Sequence, residues 1–136
     1  MPNSDATVLD SFALMAYFRG EPAGSAVKEI LLKASDTDIA VHMTEVNYAE
    51  VKYMILRKDG AKAWEEAAMI LPTLRIEFHA AGRELADLAA DFKSRTSFSL
   101  ADAFATALAK QRKAGLVTGD PEFKAVENEV KVIWLK

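Results

Sequence analysis

The chain has 136 residues, 51% of them hydrophobic and 27% charged, with a formal net charge of −3. That length fits one domain over residues 1–136 and suffices for a real hydrophobic core. There is no cysteine, so disulfides and thiolate metal sites are excluded, and a reducing cytoplasm is the natural setting.

The opening segment MPNSDATVLD lacks a basic start followed by an apolar run, so it does not read as a secretion signal. No apolar stretch approaches the roughly 20 residues that cross a bilayer, and no membrane association is expected. Residues 7–9 form a short β-type run ending at Asp10. Residues 12–18 are apolar at helical spacing and stop at Arg19-Gly20-Glu21-Pro22. Residues 24–34 read as a helix with Val27, Ile30 and Leu31 on one face, and residues 38–41 as a strand. A helix over residues 44–58 is closed by Asp59-Gly60, and another over 61–71 is ended by Pro72. Residues 74–78 alternate apolar with charged positions, as a strand does. Residues 80–92 are helical, 93–98 form a polar loop, and 100–114 form a helix stopped by Gly115. Residues 116–118 make a strand ending at Gly119-Asp120, and residues 130–135 a closing strand.

Strands that alternate with helices imply crossover connections, hence a mainly parallel sheet covered on both faces, an α/β/α architecture. Ligands of such sheets sit at the carboxyl ends of the strands, where strand order reverses. That rule singles out acids. Asp10 and Asp120 directly follow apolar strands, Asp102 lies in the first turn of a helix, and Glu50 lies in the second turn of another. Each has a structural reading as well. Asp10 suits the N-cap of the next helix. Ser99-Leu-Ala-Asp102 fits a capping box, and Asp120-Pro121 fits an N-cap followed by proline at the first helical position. Glu50 reads as a solvated helix residue, with Glu45 and Lys52 nearby. Jointly the acids point to a metal. Four carboxylates in one pocket repel one another unless a cation is present, and hard cations such as Mg²⁺ take oxygen ligands.

Other chemistries find less support. His42 and His79 stand at or just past strand ends without zinc-motif spacing, and read as hydrogen-bonded structural residues. No G-x-S-x-G elbow or Gly-rich phosphate loop occurs. The receiver-type phosphoacceptor fold needs an Asp after the third strand, which residues 74–78 do not supply. Tyr17, Phe18, Trp64, Phe104 and Trp134 lie in apolar stretches and read as core. The acidic balance is opposite to the usual basic excess of nucleic-acid binders, an objection that weakens if the acids are gathered around a metal. Arg19, Lys93 and Arg95 are candidate phosphate contacts beside the pocket.

At this point the residues resemble a known family. Val8-Leu-Asp10-Ser11-Phe-Ala-Leu14, Thr44-Glu-Val-Asn-Tyr-Ala-Glu50-Val, Ser99-Leu-Ala-Asp102-Ala-Phe-Ala-Thr-Ala107 and Leu116-Val-Thr118-Gly-Asp120-Pro-Glu-Phe123 are similar, in order, to the four acid segments of PIN domains. The compact size resembles the VapC toxins of toxin–antitoxin pairs. The resemblance implies a five-stranded parallel sheet and a Mg²⁺ or Mn²⁺ site held by Asp10, Glu50, Asp102 and Asp120, with Ser11 and Thr118 in support. It implies an endoribonuclease that hydrolyses RNA with metal-activated water, a homodimer, and inhibition by a cognate antitoxin. The alternative is a non-catalytic PIN-like module that only binds proteins.

Overall fold

A computed structural model describes residues 5–136; residues 1–4, the start of the segment read for a secretion signal, lie outside the described residues. Strands and helices follow in the order β1 (Thr7–Leu9), α1 (Ser11–Phe18), α2 (Gly24–Thr37), β2 (Val41–Thr44), α3 (Glu45–Asp59) and α4 (Ala61–Ile70). They continue with β3 (Ile76–His79), α5 (Arg83–Ser94), α6 (Leu100–Arg112), β4 (Gly115–Thr118) and β5 (Val132–Trp134). Single 3₁₀ segments occupy Leu71–Thr73 and Pro121–Val126.

The five strands form one sheet in the order β3-β2-β1-β4-β5, and every neighbouring pair is parallel. β1 is central. The chain steps outward from it through β2 to β3, then returns to lay β4 on the other side of β1. The strand order therefore reverses between β1 and β4, and the crevice of a parallel sheet opens there.

Both sheet faces are covered, which explains the continuous apolar runs. Leu9, Met43 and Val117 pack under α1 to α4 on one face, with Leu14, Val27, Val51 and Trp64. Val8 and Leu116 pack under α5 and α6 on the other, with Leu85, Phe92 and Leu108. Side chains alternate along a strand, so neighbours such as Val8 and Leu9 enter opposite cores. Each fully buried side chain of this size contributes roughly 1.5–3 kcal/mol. Helix α6 buries Ala101 and every residue from Ala103 to Ala109, mostly alanine. Small side chains let it lie close to the sheet and to α5 at once.

Some boundaries differ from the sequence reading. Helix α2 runs on to Thr37 and ends at Asp38, whose φ of 59° lies in the left-handed region. Aspartate tolerates that conformation better than most residues, so β2 begins at Val41 and not at Asp38. The Pro72 turn likewise delays β3 to Ile76, and the strand then extends to His79. Helix α5 starts at Arg83 because Gly82 holds an extended backbone at its N-cap. Gly24 is a packing requirement: a Cβ there would stand 2.5 Å from the Ala16 carbonyl oxygen, where α1 and α2 meet.

Candidate metal centre

Four turns at the carboxyl edge of the sheet are capped by short polar side chains. An Asp10 carboxylate oxygen accepts a 2.8 Å hydrogen bond from the Ala13 amide and starts α1. Thr44 Oγ1 accepts from the Asn47 amide at 2.9 Å and starts α3. Ser99 Oγ accepts from the Asp102 amide at 3.1 Å and starts α6. Asp120 accepts from the Glu122 amide at 3.0 Å and starts the last 3₁₀ segment. Ser99 also donates to the Asp102 carboxylate through its hydroxyl and its backbone N–H, which completes a capping box. The capping readings therefore hold for Asp10, Asp102 and Asp120, and these same residues face one pocket.

That pocket is a cavity of about 350 Å³ lined by Asp10, Ser11, Glu50, Ser99, Asp102 and Asp120, with Phe12, Met15, Arg19, Glu21, Met54 and Lys58 around them. All four acids are thus brought together, from β1, α3, α6 and β4. Glu50 is half-buried here, whereas Glu45 on the same helix is exposed and lies outside the lining. Asp102, Asp120 and Glu122 each offer a carboxylate oxygen within 4.8 Å of the others. Glu122 was not among the acids expected from sequence. It lies two positions after Asp120 in the same turn.

Asp10 is 1% exposed. Burial first, and then the charges of Asp102 and Asp120, push its carboxyl from 3.8 up to about 7. The Thr118 hydroxyl donates to it and opposes that rise. Thr118 Oγ1 in turn accepts from the Asp120 amide at 3.0 Å, so one side chain joins two of the acids. Burial, then Asp120 and Glu50, raise Asp102 to about 6. None of the four acids is ion-paired to a Lys or Arg among the described residues. Carboxylates gathered with no cation paired to them, two of them driven toward the neutral form, match the donor set of a hard divalent ion.

Ser11, on the pocket wall, bonds to Asn47 behind it. Its Oγ accepts from Asn47 Nδ2 at 3.0 Å and donates to the Asn47 carbonyl at 3.4 Å. Asn47 Nδ2 also donates to the Ala101 carbonyl at 3.1 Å, and the Thr44 hydroxyl donates to Asn47 Oδ1. This fully buried amide ties together α1, α3 and α6, the helices that carry or flank three of the acids. Nothing local marks Asn47 in the sequence, because its contacts span up to 54 positions. Of the basic residues singled out, only Arg19 lines the pocket, and it is paired with Asp59 at 2.9 Å and Glu21 at 3.1 Å. Lys93 bonds the Phe98 carbonyl, and Arg95 grips Glu129 through two bonds. Lys58, not foreseen, lines the pocket. Trp64 and Phe104 are core as expected, while Trp134 is half-buried and donates to Glu127 at 2.9 Å.

An all-parallel α/β/α sheet with carboxylates converging at its strand-order reversal defines a class of acidic-pocket α/β proteins. Within that class the PIN domain model matches residues 7–129, and the chain belongs to the PIN domain family. Solved structures agree in fold. VapBC2 from Rickettsia felis, bound to a DNA fragment from its promoter, superposes with a TM-score of 0.77 at 14% identity, over 96% of this chain and 99% of that one. VapC20 from Mycobacterium tuberculosis, described as a sarcin-ricin loop cleaving toxin, gives 0.69 at 18% identity over 88% and 94%. FitAcB from Neisseria gonorrhoeae gives 0.66 at 19% identity over 93% and 96%. Comparison with curated protein sequences finds no match. Among the described residues no helix is long and apolar enough to cross a membrane.

Proposed function

We propose that this PIN domain, over residues 1–136, is a divalent-metal-dependent endoribonuclease and the toxin of a VapBC-like toxin–antitoxin pair. One observation carries the nuclease reading: Asp10, Glu50, Asp102 and Asp120 line a single cavity at the strand-order reversal, with no cationic side chain paired to them among the described residues. In this reading Asp10, Asp102 and Asp120 hold Mg²⁺ or Mn²⁺, with Glu50 completing the set. When bound, such an ion neutralises the acids, activates water and stabilises the charge that develops on a phosphodiester.

The chain's own residues do the rest. Thr118 keeps the Asp10 carboxylate oriented and favours its ionised form. The Ser99 cap fixes the first turn of α6 and so aims Asp102. Asn47 and Ser11 hold α1, α3 and α6 in one arrangement. Glu50 orients the attacking water or completes a second ion site. Arg19 and Lys58, on the pocket wall, attract the phosphate backbone of RNA.

The toxin assignment rests on the likeness to VapBC and VapC20 structures over nearly the whole chain. A cognate antitoxin and a second copy of the chain are the partners this implies, in the cytoplasm. Tyr53, Leu56, Met69 and Ile70, exposed on α3 and α4, supply apolar area for such contacts. The decisive experiment is cleavage of RNA with Mg²⁺ or Mn²⁺, with EDTA, and with the Asp102→Asn chain. Cleavage that requires the ion and drops by more than about 100-fold in Asp102→Asn supports the reading. Full activity in EDTA or in the variant sinks it, and metal binding without cleavage of any RNA points to a binding module.

A further inference from the structure

A second cluster of ligating atoms stands apart from the acidic pocket. His42, Glu77 and His79 each place one ligand atom within 4.8 Å of the other two. None of them lines the acidic cavity. The parallel pairing of β2 with β3 sets His42 opposite Glu77 and Thr44 opposite His79. Side chains alternate along strands, so all three project from the same sheet face. Met43 and Phe78, on the opposite face, enter the core under α1 to α4. The cluster therefore lies on the α5–α6 side of the sheet edge, and Arg112 at the end of α6 reaches His79.

The protons of this cluster do not add up. Arg112 lies 3.1 Å from His79 Nδ1, and a guanidinium can only donate, so that nitrogen accepts. A neutral His79 then carries its proton on Nε2 and gives it to His42 Nδ1, 2.8 Å away. His42 Nδ1 is left as an acceptor, yet Glu77 Oε2, also an acceptor, stands 3.2 Å from it. Moving the proton to His42 Nδ1 satisfies the glutamate but forces a proton on His79 Nδ1 against the Arg112 donor. Every neutral arrangement in this geometry leaves one mismatched contact at His42, whose side chain is only 6% exposed; Glu77, 64% exposed, is the partner that water can serve.

We propose that His42 Nδ1, His79 Nε2 and a Glu77 carboxylate oxygen form a second metal site, for a borderline divalent ion of the Zn²⁺ class. Three converging lone pairs become an asset around a cation. Bonds of about 2.0–2.1 Å in a tetrahedron separate ligands by roughly 3.3 Å, and the 2.8 and 3.2 Å separations need only small outward shifts. Two imidazoles and one carboxylate suit Zn²⁺, Co²⁺ or Ni²⁺ over Mg²⁺, whereas the all-oxygen pocket prefers the harder ions. Burial, followed by the neighbouring His79 for His42 and by Arg112 for His79, holds both imidazoles below their usual value and so neutral and ready to ligate. Arg112 is exposed and free to swing out when His79 Nδ1 takes up the proton. Three protein ligands leave a fourth position for water or an external group, and the bound ion would pin edge strand β3 to β2.

The test uses the full chain, free of any purification tag and stripped with EDTA, in the Asp102→Asn background so that the acidic pocket is weakened. Co²⁺ is titrated while its visible absorption is followed, and Zn²⁺ is then used to displace it. A one-to-one tetrahedral Co²⁺ spectrum is expected. Affinity should fall by more than about tenfold in His79→Ala and in Glu77→Ala, since even outer partners of a ligand cost that much. These two positions are half-buried and exposed, so the variants avoid the deep cavity that His42→Ala would leave. Arg112→Gln should bind more tightly. Zn²⁺ at about 100 times its Kd should raise Tm by roughly 5–10 °C in the parent and not in the two variants. Zn²⁺ affinity that is unchanged by His79→Ala and Glu77→Ala, or binding no tighter than about millimolar in the parent, overturns the proposal.

Discussion

Asp10 performs two tasks that pull against each other. One oxygen caps α1, which favours a charged or polar group, while near-complete burial beside Asp102 and Asp120 disfavours the charge. Its carboxyl is raised from 3.8 to about 7, so between those values the folded chain keeps a proton that the unfolded chain has released. Stability of the ion-free protein from this group is therefore greatest below about pH 4 and falls as pH rises through about 7, by ~4 kcal/mol. Asp102, raised to about 6, acts with the same sign and more weakly because solvent reaches it. Asp10→Asn retains a good cap and removes the ionisation. In EDTA it should exceed the parent in stability at pH 8, with the gap shrinking toward pH 4. Urea titrations across that range read this directly, and a gap independent of pH would contradict it. Thr118 has the opposite influence on Asp10, so Thr118→Val should weaken Mn²⁺ binding at pH 6 more than at pH 8.

At the scale of elements, the site depends on how closely helices approach. Asn47 bonds Ser11 on α1 and the Ala101 carbonyl on α6 from its place on α3. Asn47→Ala leaves buried polar partners unsatisfied and should cost about 2–3 kcal/mol. Under the proposed function, RNA cleavage should fall at temperatures where the variant is still folded, because three acids lose a common support. Gly24→Ala drives a Cβ into the α1 backbone, 2.5 Å from the Ala16 carbonyl oxygen. The backbone cannot yield as a flexible side chain would, so a loss of about 1–3 kcal/mol is expected. Denaturant midpoints measure both, and a Gly24→Ala midpoint equal to the parent's would mean that α1 and α2 part at no cost.

For the molecule as a whole, the proposed ion site would link binding to folding. Mn²⁺ at about 100 times its Kd should add ~2.7 kcal/mol to the stability of the folded chain. Its affinity should rise with pH up to about 7 and then level off, because the proton held by Asp10 must leave before the ion enters. Calorimetry in buffers of different ionisation heat would detect that proton. Asp120→Asn should abolish both effects, and an undiminished Mn²⁺ stabilisation in that variant would move the ion elsewhere.

Much of this was legible in the chain. Alternating apolar runs and helical periods marked the strands and helices and the parallel sheet, since hydrophobic period is a local property. Three of the acids were conspicuous because each closes an apolar run or opens a helix, as at Leu9-Asp10 and Thr118-Gly119-Asp120, whereas Glu50, inside a helix, stood out only through the resemblance. Boundaries such as the end of α2 were less legible, because aspartate permits the left-handed conformation that Asp38 adopts but does not require it.

By itself, the sequence determined element types, an α/β class and a short set of candidate acids, all of which follow from neighbours within a few positions. Only the tertiary structure decided which side chains meet. It put Glu50, not Glu45, on the pocket and added Glu122 to Asp102 and Asp120. It made Asn47 a hub, and joined His42 to His79 across 37 positions through the register of two parallel strands. The reason is that ionisation and ligation depend on distances across the fold, and strand order and register set those distances where local spacing cannot.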